Sequence, residues 1–164
     1  MSRLGSALLC VLLLTAGCTI EDHTPTGTRR DEAAVRAVVA TYYRTVGDRN
    51  WRAGRSVFWD SADVTLNHRS GDSGWISFEG ADEYFVYLAR SAPAGSQSYR
   101  LIRTDFHQQG DLAAVWVTAR ISTEGDSIDL PESGEVDHFV LRRFGNGWRI
   151  IYLASEPESP AVQP

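Results

Sequence analysis

The sequence predicts an α+β domain in which helices pack on one face of a curved antiparallel sheet. Three observations predict it. Apolar residues recur at helical spacing in the first part of the folded region, four long alternating segments follow one another in the second, and glycine turns divide those segments.

In "TRRDEAAVRAVVATYYRTVG", Val35, Val38, Val39, Tyr42 and Val46 fall on one helical face. Thr28, with Asp31 three residues on, resembles a capping box, and Gly47 is a natural stop. Asp48 or Asn50 then caps a short helix, "WRAGRSVFW", that turns Trp51 and Phe58 to the core. "ADVTLNH" reads as a strand with Val64, Leu66 and His68 on one side, and "WISFEG" returns from the turn cluster "RSGDSG". "GADEYFVYLARSA" is a third helix, burying Phe85 and Leu88 and leaving Tyr84 open between core and surface. The strands "YRLIRTDFHQ", "LAAVWVTARIST", "VDHFVLRRF" and "WRIIYLASE" complete the domain. Turns at Gly110-Asp111 and Gly145-Asn146-Gly147 and the polar loop "EGDSIDLPES" join them.

The ends of the 164-residue chain have a different character. Arg3, an apolar run from Ala7 to Leu14 and small residues before Cys18 make residues 1–17 a secretory signal. "LTAGC" resembles a bacterial lipobox, which makes Cys18 the expected lipidation point, carrying diacylglycerol and a fatty acyl chain such as palmitate. Residues 18–29 then form a tether, 30–156 the folded domain and 157–164 a frayed, proline-rich tail. The expected address is the cell envelope, lipid-anchored to a membrane with the domain outside the cytoplasm. Cys10 and Cys18 are the only cysteines, so the domain has no disulfide and no thiolate metal site. The net charge is −5, and all 16 basic residues are arginine. Without lysine there is no Schiff-base chemistry and no Walker-type phosphate loop. An acidic domain with no basic run is not expected to bind nucleic acid.

The stretches "VVATYYRTVGDRNW", "FWDSADVTLNH", "FEGADEYFVYL" and "VDHFVLRRFGNGWRIIYLAS" together resemble the nuclear transport factor two-like superfamily, which includes ketosteroid isomerase, scytalone dehydratase and the SnoaL-like polyketide cyclases. The resemblance implies a cone-shaped curved sheet with three N-terminal helices on its concave face, enclosing one pocket, often in a homodimer. It also implies divergent functions. "VDHF" resembles the isomerase strand whose protonated aspartic acid donates to the reacting oxygen, which places Asp137 in that role. The partner tyrosine, sixteen residues before Phe58, falls on Tyr42; the general base, eight residues after it, falls on Leu66, which carries no proton.

Two roles stay open for Asp137. In a dry pocket it is a neutral donor. If the neighbouring strand turns Trp116, Thr118 and Arg120 inward, Asp137 is the ionised partner of Arg120. His68, beyond Leu66 on the same strand face, is the candidate general base, against the plainer reading of a strand-end residue. The candidate catalytic set is thus His68, Asp137 and Tyr42. The candidate ligand-binding set is Tyr42, Leu66, Trp116, Thr118, Arg120 and Asp137. The four histidines show no ligand spacing, so neither metal nor cofactor is expected. The expected function is binding of a small, hydrophobic or partly polar molecule. The alternatives are an isomerase, dehydratase or cyclase and a protein-interaction module. Val115 and Val117, turned outward if Trp116 points in, together with Val136 and Val140, are expected to pair two copies through the outer sheet face.

Overall fold

The protein is described by a computed structural model covering residues 29–68, 74–92, 95–123, 133–145 and 147–158. The signal, Cys18, most of the tether, the Thr28 cap, the 124–132 loop and the end of the tail lie outside the described residues.

Helix α1 (Arg29–Gly47) is followed by α2 (Trp51–Arg55), β1 (Phe58–His68), β2 (Gly74–Glu79), α3 (Ala81–Ser91), β3 (Gln97–Gln109), β4 (Leu112–Thr123), β5 (Ser133–Phe144) and β6 (Gly147–Pro157). The expected face of α1 is the buried one: Val35, Val39, Tyr42 and Val46 are in the core, joined by Tyr43. Asn50 is the N-cap of α2, its side chain accepting from the Ala53 amide. This helix is shorter than its apolar pattern suggests. The Ile150 amide donates to the Val57 carbonyl at 3.0 Å, so pairing with β6 claims the chain before another turn of helix forms, and the buried Phe58 begins β1.

The six strands form one sheet in the order β2-β1-β6-β5-β4-β3. Every pair is antiparallel except β1 with β6, which run parallel and make the sheet mixed. Register shifts between Phe58 and Asp63, Leu101 and Arg103, and Val140 and Leu141 interrupt the ladders. Such irregularities bend strands locally and sharpen their twist. The sheet curves around α1 and α3. Val35 and Val39 from α1 meet Phe58, Val64, Val115, Val117, Phe139, Leu141, Ile150 and Leu153 in a single core. Each such side chain, fully buried, contributes about 1.5–3 kcal/mol.

Register settles which residues face inward. Val117 pairs with Asp137, Asp137 with Ser155, Ser155 with Leu66 and Leu66 with Ile76, so these five form one row across the inner face. The next row, Trp116, His138, Ala154, Thr65 and Ser77, lies on the outer face. The expected orientation of β4 is therefore reversed. Val115 and Val117 are core residues, whereas Trp116 is 48% exposed. Thr118 and Arg120 share the outer face with Trp116, and Arg120 pairs with Glu158 rather than with Asp137.

Candidate functional site

Between the helices and the sheet lies a cavity of about 350 Å³. Tyr42 and Val46 from α1, Trp51 from α2, and Tyr84, Tyr87 and Leu88 from α3 line one side. Leu66, Tyr99, Ile121, Glu135 and Ser155 line the other, and the exposed Ser91 and Glu156 mark its rim. A mostly apolar, aromatic wall with a few converging polar groups is the ordinary constitution of a small-molecule site.

The polar groups gather at β5. Asp137 is 1% exposed, and Tyr43 donates to its Oδ2 at 2.5 Å. Glu135 lies two residues earlier on the same strand face and lines the cavity, which puts a second carboxyl next to the first. Burial raises the pKa of Glu135 well above the carboxylate range, and the charge of Asp137 and a hydrogen bond to it raise it further. Burial raises Asp137 as well, against the opposing pull of hydrogen bonds from Ser155, Tyr43 and Glu135. Two carboxyls this close do not both ionise readily, so the pair retains a proton where isolated carboxyls would have lost theirs.

A second polar pair sits on the helical side. The Tyr42 and Tyr84 hydroxyls are 2.6 Å apart, and burial pushes both phenols well above their usual pKa. They are neutral hydrogen-bonding groups. Phe139 meets both helix tyrosines edge to face, with centroids 5.3 Å from Tyr42 and 5.8 Å from Tyr43. One aromatic residue thus separates two hydroxyl systems, Tyr42 facing α3 and Tyr43 facing β5.

Of the residues expected at the site, Tyr42 and Leu66 line the cavity and Asp137 lies buried beside Glu135 and Ser155, which line it. Trp116, Thr118 and Arg120 lie on the other side of the sheet. His68 closes β1, opposite Gly74; its side chain lies outside the described residues. The sequence reading missed Glu135, Tyr43, Tyr84 and Ser155. Alternation carries the signal for two of them, since Glu135 shares a face with Asp137 and Phe139, and Ser155 shares one with Leu153. Among the described residues no group of three or more histidine, cysteine, aspartate or glutamate side chains is placed to hold a metal ion.

No family model matches the sequence, and no curated protein matches it. Solved structures do match the fold. A nuclear transport factor two-like protein of unknown function from Pseudomonas putida superposes with a TM-score of 0.68 at 18% identity, covering 82% of this chain and 92% of that one. A protein of unknown function with a cystatin-like fold from Nostoc punctiforme gives 0.67 at 11% identity, covering 82% and 95%. A ketosteroid isomerase-like protein from Erwinia carotovora gives 0.62 at 14% identity, covering 81% and 100%. The chain has the nuclear transport factor two-like, cystatin-like fold, as its sequence resemblance implies.

Proposed function

We propose that the protein is an exported lipoprotein, held at a membrane through Cys18, whose single domain binds a small, largely apolar molecule in the cavity between helices and sheet. The observation that carries this reading is the cavity itself. An interaction module would fill the space with its own side chains, but here about 350 Å³ stays open beside a buried polar cluster. The direct test is a thermal-shift and calorimetric screen of small hydrophobic metabolites, with Leu66→Trp as the blocked control. Binding that Leu66→Trp abolishes in a folded protein supports the reading; binding that Leu66→Trp leaves unchanged refutes this location. The lipid anchor has its own test: Cys18→Ser should release the protein from membranes or leave the signal uncleaved.

A second reading, an enzyme of isomerase, dehydratase or cyclase type, is favoured by the carboxyl pair. A carboxyl that holds its proton above the ordinary carboxylate range suits acid–base chemistry. Tyr42 and Tyr84 would then orient the substrate oxygen, and His68 remains the candidate base. In either case the reading includes a homodimer through the outer sheet face. There Trp116 stacks on His138 with centroids 4.0 Å apart, and Trp75, Val136 and Tyr152 lie around the same hollow.

A further inference from the structure

Acidic side chains outnumber basic ones among the described residues that line the cavity; Arg49 lies behind the wall, over the Trp51 ring and donating to the Ala92 carbonyl. Glu135 lines the cavity, Glu156 stands at its rim, and no arginine or histidine is among the described residues that line it. Four phenols face Glu135 from other elements: Tyr42 and Tyr43 on α1, Tyr84 on α3 and Tyr99 on β3. From its own strand it faces Asp137. Burial holds each of those four phenols above its usual pKa, so none supplies charge of either sign near neutrality. Arg120, whose guanidinium comes close to Gly134, is engaged by Glu158 on the outer face.

A buried carboxyl is costly unless it is neutralised by a proton or met by a cation. The wall includes Tyr42, Trp51, Tyr84, Tyr87 and Tyr99, and the negative faces of tyrosine and tryptophan rings attract organic cations. Among the described lining residues, an anionic ligand would meet two glutamates and no arginine or histidine.

We infer that the cavity selects a small organic ammonium ion with an apolar body, its charged head against Glu135 and its body among Tyr42, Trp51, Tyr84 and Tyr99. This rests on the cavity being a ligand site and names the class of ligand it takes. As the ammonium enters, the carboxyl pair gives up its proton to solvent, so binding releases a proton and strengthens as pH rises until the pair has titrated.

The test compares three probes of one shape on the full chain by titration calorimetry: phenethylammonium, phenethyl alcohol and hydrocinnamate. The expected order is ammonium first, by about tenfold or more over the alcohol, with the carboxylate weakest. Repeating the ammonium titration in buffers of different ionisation enthalpy should show proton release. Glu135→Gln should remove both the release and the preference while Tm shows the variant folded. If the alcohol binds as tightly as the ammonium, or if Glu135→Gln leaves the preference intact, the ammonium inference fails and the small-molecule reading stands. If none of the three binds, both fail.

Discussion

At the residue scale, Glu135 and Asp137 determine how the domain responds to pH. A carboxyl in the unfolded chain titrates near about pH 4, and both of these are raised in the fold. The folded state therefore holds more protons than the unfolded state above that point. The pair's contribution to stability is fully present below the unfolded pKa and is lost as pH rises through the folded values. Glu135→Gln removes the share of this loss that belongs to Glu135. Its denaturation midpoint relative to wild type should rise steadily from about pH 4 upward, and parallel pH profiles would contradict the shifted pair. Tyr43 makes a separate prediction. Its hydroxyl is the donor to Asp137 Oδ2, so Tyr43→Phe leaves that buried carboxyl oxygen without its donor and should cost about 1–3 kcal/mol in urea denaturation. Were Asp137 instead the buried partner of Arg120, removing the arginine would be the severe change; Arg120 sits with Glu158 at a half-exposed site, so Arg120→Leu should be mild.

At the scale of elements, the junction of α1 with β3 constrains the fold closely. Gly47 ends α1 where the backbone of Gln97 passes, and an added Cβ would collide with the Gln97 carbonyl oxygen. The obstacle is backbone, which cannot swing aside as a side-chain tip would. Gly47→Ala should therefore destabilise by about 1–3 kcal/mol, read from the denaturation midpoint. The sequence identified this glycine as a helix stop, and the position is right for a different reason: close approach to a strand far along the chain. The same distinction explains most of what was and was not legible. Apolar spacing is local, so α1, α3 and the four long strands are evident from residues alone. Which face of β4 meets which face of β5 depends on register. One residue of offset exchanged Trp116, Thr118 and Arg120 for Val115, Val117 and Ala119. The alternation within each strand was correct; the relation between strands was not local information. Tyr43 and Glu135 were missed for a related reason, since each becomes a site residue only through the other elements that the fold brings around Asp137.

For the whole molecule, the curved sheet has two useful faces. The inner one holds the cavity and its carboxyls; the outer one presents Trp116, His138, Tyr152 and Trp75 toward solvent, with burial holding the His138 imidazole below its ordinary pKa. The proposed homodimer has to cover this outer surface, and stable pairs bury roughly 800 Å² on each partner. Trp116→Glu puts a charge at its centre and should shift sedimentation toward monomer without lowering cavity binding. A monomeric wild type across micromolar concentrations would remove the dimer and leave the cavity reading untouched.

Glu135 at the cavity wall and Asp137 behind it hold a proton beyond the range of ordinary carboxyls, and infrared difference spectroscopy reads this directly. Wild type minus Glu135→Gln at neutral pH should show a protonated-carboxyl carbonyl band, which disappears only when pH is raised well beyond the range of ordinary carboxyls. A difference spectrum with carboxylate bands alone would mean that both groups are ionised, and would contradict the account.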